Sequence, residues 1–288
     1  MKIRVILFLL CLALGIELMP QQSSEKVEYY KSGVLKARGD YRNNKKEGSW
    51  IAWYENGERM HEGEYKEGKK HGFWIYWFDD GVKMSEEEYN NGNRHGKWRS
   101  WYTNGNIRGV GEYINDKRDG VWRWWYPKGN ELFYGTYKAG SAHGKWIYWF
   151  ENGVKRYEGN YVNQKKDGYW RKWYKSGAPQ YEEVYKNDKR DGPWINYYDS
   201  GMKRYEGHYK EDLPEGIWTR WYENGEKNEE GRYHKGTRVG KWTLWHENGN
   251  KKEEGEFVGG LRDGFWQEWD KEGQKIKEEF YIEGKPKR

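Results

Sequence analysis

The 24 residues Gly48–His71, GSWIAWYENGERMHEGEYKEGKKH, decide the fold, because the chain repeats them. Gly48-Ser49-Trp50 returns as Gly72-Phe73-Trp74, Gly96-Lys97-Trp98, Gly120-Val121-Trp122 and Gly144-Lys145-Trp146, and onward through Gly168, Gly192, Gly216 and Gly240 to Gly264-Phe265-Trp266. Ten units follow one another without an inserted or deleted residue. An unbroken period of this length predicts a quasi-one-dimensional stack of supersecondary units, each touching only its neighbours. It also weighs against an enzyme. A repeated unit presents a repeated surface, whereas catalysis usually needs one distinct pocket.

Two turn signals punctuate the unit. Asn56-Gly57 is a pair favoured in type I′ hairpin turns, and its glycine recurs in all ten units from Gly57 to Gly273. The second signal, near Glu67-Gly68, is looser and reads Asn91-Gly92, Asn115-Asp116, Asn187-Asp188 or Gly259-Gly260 elsewhere. Between the turns lie segments of about seven residues rich in Trp and Tyr, which are strands by composition and length. The expected fold class is therefore all-β: an elongated array of stacked antiparallel β-hairpins forming one twisted sheet, with a 24-residue period. A two-residue turn at Asn56-Gly57 sets Tyr54 opposite Arg59, Trp53 opposite Met60, Trp50 opposite Gly63 and Gly48 opposite Tyr65. Large rings then face glycines, so a ring can lie over the backbone of its partner strand. Three units place Glu87, Glu183 and Glu279 at that gap instead.

Alternation sends Trp50, Tyr54 and Tyr65 to one face and a second Trp row to the other. This stripe comprises Trp53, Trp77, Trp101, Trp125, Trp149, Trp173, Trp221 and Trp245, with Tyr197 in one unit and Trp269 in the last. Its members are roughly 10 Å apart at two strands per unit. Two roles are open to these indoles. They can pack against Arg and Lys stems and stiffen the sheet, or they can form an exposed aromatic track for a ligand. A bulge near Trp50 would bring both rows to one face.

Composition is unusual for a globular chain. Of 288 residues, 35% are hydrophobic and 34% charged, which alone would suit disorder. The 20 Trp and 26 Tyr at fixed phase argue otherwise. The formal net charge of +6, from 52 basic and 46 acidic residues, is finely interleaved, so no nucleic-acid partner is indicated. Met1-Lys2-Ile3-Arg4 followed by the apolar run Val5–Gly15 has the layout of a signal peptide, which assigns residues 1–22 to a leader and the chain to export. Cys11 lies in that run behind Leu10, a poor context for lipoprotein anchoring. The remaining cysteine count is zero, so no disulfide is expected.

The pattern G-x-W-x-x-W-Y-x-N-G-x-x-x-x-E-G-x-Y resembles the bacterial variant of the MORN repeat, as in GKWIYWFENGVKRYEGNYVNQKKD (residues 144–167). The resemblance spans about Tyr29 to the end, one partial and ten full units over 29–288. It implies an elongated, twisted sheet of stacked hairpins and a scaffolding or dimerisation role, with a protein partner or a homodimer. It also implies possible contact with membrane-lipid headgroups. A group of bacterial proteins with this repeat carries an antitoxin label, which implies a specific toxin partner and fits poorly with export. A glycan ligand for the stripe is the reading that the residues themselves add.

No catalytic constellation or cofactor signature emerges. His71, His95 and His143 precede the repeat glycine, where other units place Glu47, Asp119, Asp167, Asp191, Glu215 or Asp263. That exchange is turn chemistry, and histidines one unit apart stand roughly 10 Å from each other, too far to share a metal. Carboxylate pairs such as Glu229-Glu230 and Glu253-Glu254 recur at matching phase and read as solvated strand charges. No nucleophile elbow, Walker loop or dinucleotide fingerprint is present.

Overall fold

The chain reverses twice in every unit, and its two turns are built differently. A computed structural model describes residues 23–287; the expected leader, Cys11 included, lies outside them. At Tyr54–Glu58, the Gly57 N–H donates to the Tyr54 carbonyl (3.0 Å) and the Tyr54 N–H donates to the Glu58 carbonyl (2.8 Å). Gly57 is left-handed (φ +89°) and Asn56 is not. This is a three-residue loop, a type I turn closed by a left-handed glycine, and not the type I′ turn expected there. Asn56 serves through its side chain instead. Its Oδ1 accepts the Glu58 N–H at 3.0 Å, and its Nδ2 donates to the Asp79 carbonyl of the next unit at 2.6 Å. The true two-residue I′ turn is the looser one, where Glu67 (φ +51°) and Gly68 (φ +80°) are both left-handed.

These turns join β1 (Ser24–Tyr29), β2 (Leu35–Arg42), β3 (Lys45–Trp53), β4 (Arg59–Lys66) and β5 (Lys69–Trp77). The alternation continues to Lys275–Ile282 and a short Lys285–Pro286, twenty-three strands in all, with no helix among the described residues. Each strand pairs antiparallel with its chain neighbours, giving one open sheet. Between β3 and β4 the register holds as expected for Gly48↔Tyr65 and Trp50↔Gly63. It then slips, so Trp53 meets Arg59 rather than Met60. The longer loop removes one residue from the pairing, and a bulge at Met60 restores it. Between β4 and β5 a wider bulge intervenes. Glu62 pairs with Ile75 but Glu64 with His71, which leaves Gly72 and Phe73 as surplus residues. Gly72 takes φ +65°, a conformation that L side chains adopt only with strain. The bulge does not merge the two aromatic rows. Trp50 and Ala52 are buried on one face, while Ile51 and Trp53 are only half-buried on the other.

A single sheet has no second layer, so the inner face must cover its own rings. It does so in three ways. The ring lies flat over a glycine of the preceding strand. A Cβ at Gly63 would stand 2.3 Å from the Trp74 ring, and one at Gly39 would stand 2.4 Å from Trp50. Ring and gap are therefore the expected code, but the ring over Gly63 on β4 comes from β5 and not from its register partner Trp50. Tyrosines close the sides edge-on: Tyr41, Trp50, Tyr65, Trp74 and Tyr89 follow one another at 5.0–6.3 Å between centroids. Cations cover the top, with Lys46 3.9 Å from the Trp50 ring and Arg118 4.6 Å from Trp122. The result is Trp74 and Trp122 at 0% exposure in a sheet one layer thick.

The ladder of rings breaks twice, between Tyr89 and Trp98 and between Tyr185 and Trp194. These are the places where Glu87 and Glu183 replace the glycine beneath Trp98 and Trp194. A side chain in the gap lifts the indole. Both of these tryptophans are only half-buried, and Trp98 leans against Trp122 and Trp124 at 5.2 Å. The intruding carboxylates accept hydrogen bonds from tyrosine, Tyr89 Oη to Glu87 at 2.6 Å and Tyr185 Oη to Glu183 at 2.9 Å.

Candidate functional site

The outer face carries the tryptophan stripe. Trp53, Trp77, Trp101, Trp125, Trp149, Trp173, Trp221 and Trp245 are all half-buried, at the last strand position before the three-residue loop. Their backbones are fixed from the preceding unit. The hydroxyls of Tyr30, Tyr54, Tyr102, Tyr126, Tyr198 and Tyr222 donate to the carbonyls of Trp53, Trp77, Trp125, Trp149, Trp221 and Trp245 at 2.7–2.9 Å. Many of the rings also carry a cation. Arg59, Lys83, Lys155, Lys203 and Lys227 lie 5.4–5.9 Å from the centroids of Trp77, Trp101, Trp173, Trp221 and Trp245. Each of those cations also meets a glutamate three residues on, as Lys155 meets Glu158 at 2.9 Å. At the equivalent positions before Trp125 and Trp149 stand Ile107 and Glu131, so the mid-array rings have no such cover.

The same face exposes large apolar side chains beside the stripe. Phe73 (68% exposed), Tyr169 (64%), Ile217 (59%) and Phe265 (61%) share one repeat phase, and Val121 is the fifth exposed member. Lys97, Lys145 and Lys241 occupy that phase in intervening units, and Lys145 and Lys241 approach Glu158 and Glu254. Apolar members therefore recur every second unit, roughly 19 Å apart at four strands of sheet.

A third row escaped the reading of the sequence. On the inner face, beside the buried indoles, the facing pairs Ala52–His61, Trp124–Phe133, Tyr148–Tyr157 and Arg220–Glu229 differ in every unit. Tyr148 and Tyr157 stack at 4.3 Å, and the burial of Tyr148 raises its pKa well above the ordinary phenol range. His61 packs against Trp74 and Tyr76 at 5.5 and 5.9 Å. Desolvation, with Lys70 and Lys46 adding to it, lowers its pKa to about 4. The signal that could have found this row is its variability between invariant neighbours. Arg108 reaches this face too, 5.8 Å from the Tyr102 ring and 5.6 Å from Trp124.

The position before the repeat glycine does turn chemistry, by a specific route. Glu47, Asp119, Asp167 and Glu215 accept the first backbone N–H of the next I′ turn, as Asp119 does from Ala139 at 2.9 Å. No group of three or more potential metal ligands exists among the described residues. No helix of the described residues is long and apolar enough to cross a membrane.

The model of the MORN repeat variant family matches residues 46–67, 94–115, 118–139, 142–163, 166–187, 190–211, 214–235 and 238–258. The units it passes over, at 70–91 and from 262 onward, both carry glutamate at the glycine gap. No curated protein shows significant similarity to the chain. Among solved structures, chains in "Crystal Structure of TcdB2-TccC3-Cdc42" and "Crystal Structure of TcdB2-TccC3-TEV" are similar over 90% of this chain at 11% identity, with TM-scores of 0.19 and 0.18. The chain spans 18% of their length. At those scores they carry no weight for fold or function.

Proposed function

We propose, for a chain that belongs to the MORN repeat variant family, that it is an exported, non-enzymatic binding scaffold whose outer face engages a protein partner. The observation that carries this reading is the exposed apolar row Phe73, Val121, Tyr169, Ile217 and Phe265 on the face of the tryptophan stripe. Side chains this large and this exposed cost free energy in water unless something covers them. Scattered singly they would mean little, but a row in step with an aromatic stripe is an extended surface. Ion pairs flank it and can supply a polar rim. At Trp125 and Trp149, in the middle of the array, Ile107 and Glu131 replace the cation and leave the ring without that cover.

The test uses the full chain as bait on envelope and extracellular fractions of its own host. Wild type should retain a defined protein that the F73S/Y169S/F265S triple variant loses. The W125A/W149A variant should weaken retention at least tenfold while leaving the melting temperature nearly unchanged. Retention of a polysaccharide or of anionic vesicles, lost in W125A/W149A and indifferent to the triple variant, would transfer the stripe to a glycan or headgroup ligand. Fusion of residues 1–25 to a reporter active only outside the cytoplasm tests the export half. A silent reporter with soluble cytoplasmic protein would favour a toxin-binding role.

A further inference from the structure

Six of the ten units cover the inner indole with a cation placed two residues before the repeat glycine. Lys46, Lys70, Arg118, Lys166, Arg238 and Arg262 lie 3.9–4.6 Å from the ring centroids of Trp50, Trp74, Trp122, Trp170, Trp242 and Trp266. Where glutamate has lifted the indole, the cation moves to the neighbouring tyrosine, Arg94 over Tyr113 at 4.1 Å and Arg190 over Tyr209 at 3.9 Å. Two units have no cation at this position, because Ala142 and Pro214 occupy it. At Ala142 the vacancy is filled from within, by the buried ring of Phe133 4.8 Å from Trp146. In the unit of Pro214 the residue at the place of Phe133, nine positions earlier, is Tyr205, which meets Trp194 at 6.2 Å, and a cleft of about 290 Å³ opens there. Trp194, Tyr205, Tyr209, Trp218, Tyr233 and Glu229 line it, along with Pro214 itself. Glu183 contributes from a distance, since Trp194 is lifted and stands 5.5 Å from Trp218.

We propose that this cleft binds an organic cation, a guanidinium or an alkylated ammonium group, in place of the side-chain cation that the other units carry. Ring faces attract such groups through their quadrupole, and the attraction grows when the site is desolvated. Glu229 adds a carboxylate, paired with Arg238 at 3.5 Å and facing Arg220 across the strand pair. Arg220 also lines the cleft, 5.2 Å from the Tyr205 ring. Two cations are seated close together elsewhere in the array, although there the second leans over the following strand and not, as Arg220 does, over the preceding one. Lys166 lies over Trp170 at 4.6 Å while Lys172, at the phase of Arg220, lies over Tyr181 at 5.3 Å. The site is on the face opposite the stripe and stands independently of the outer-face reading.

The experiment follows indole N–H resonances of the ¹⁵N-labelled full chain, with Trp194 and Trp218 assigned through W194F and W218F. Tetramethylammonium and methylguanidinium chlorides are titrated at fixed ionic strength against the neutral isostere tert-butanol. Both cations should shift the two resonances saturably, with tert-butanol at least tenfold weaker. Pro214→Lys, which restores the residue type of the other units, should abolish the response without lowering the melting temperature. A Gly-Gly-Arg-Gly-Gly amide binding more than tenfold tighter than methylguanidinium would identify a side chain of a partner polypeptide as the source, and equal binding a free small cation. An equal response to tert-butanol, no saturable shift, or full binding by Pro214→Lys would each overturn the proposal.

Discussion

Gly111 shows what a single residue must be for this sheet to close. A Cβ there would stand 2.2 Å from the Trp122 ring, and that ring has no exposure to give up. Gly111→Ala should cost about 1–3 kcal/mol, because an extra methyl in a fully packed site is relieved only by off-rotamer strain or by backbone movement. An unchanged denaturation midpoint would mean that the ring is free to lift, as Trp98 is above Glu87. His61 gives a pH signature of known sign. Its pKa is lowered to about 4 in the folded chain from 6.5, so folding favours the neutral ring. Its contribution to stability is complete above pH 6.5 and is lost as pH falls toward 4. In His61→Gln the melting temperature should decline less over that interval, and the wild-type ring should titrate near pH 4 by NMR. A ring titrating near 6.5 would show that it is solvated. The ring-and-gap alternation was legible because alternation along a strand is fixed. The depth of burial of His61 was not, because nothing in an isolated histidine announces the Trp74 and Tyr76 rings of the next strand.

The hairpin was legible as an element, but its two turns were exchanged. Asn-Gly suits a type I′ turn, yet a type I turn closed by a left-handed glycine needs that glycine equally. What separates them is the Asn56 side chain, which reaches the Asp79 carbonyl of the following unit. A local pattern cannot reveal a bond across 23 residues. The register survived the error because the bulge at Met60 returns the residue that the longer loop removes. Inter-unit bonds of this kind, together with the rings, make neighbours interdependent, and stability should depend on position in the stack. Trp146 lies between Tyr137 and Tyr161, each 5.1 Å away, with several units on either side. Trp146→Ala should cost about 3–5 kcal/mol, the usual range for removing a large buried ring. Trp266→Ala should cost less, since only the strand Lys275–Ile282 and the two-residue Lys285–Pro286 follow it. Equal losses in parallel denaturant titrations would argue against a nearest-neighbour stack.

Across the whole molecule, the three gap glutamates are not scattered. Glu87, Glu183 and Glu279 stand 96 residues apart, four units each time. The ring ladder is accordingly segmented. One run ends at Tyr89, a second extends from Tyr113 to Tyr185, and a third extends from Trp194 to Tyr281. Backbone pairing is continuous across the breaks, so the sheet is one object while its side-chain packing is three. In a one-dimensional stack the weakest interface decides where cooperativity ends. Glu183 is such an interface: it is 6% exposed, and burial raises its pKa against the pull of Tyr185 and the surrounding cations. A raised carboxyl pKa stabilises the fold at low pH and loses that contribution as pH rises through the raised value, so at neutral pH this carboxylate is a cost. Glu183→Gly should therefore stabilise the junction and let Trp194 settle onto the backbone as its counterparts do. Native-state hydrogen exchange by mass spectrometry can resolve this. In wild type at pH 7, strands within 113–185 and within 194–281 should open as separate units, with lowest protection at the Trp194 strand. In Glu183→Gly the two should open together, and protection at Trp194 should rise by at least tenfold. Uniform protection in the wild type, or boundaries that the substitution leaves in place, would show that the backbone ladder alone sets cooperativity and that the four-unit spacing of the glutamates has no mechanical consequence.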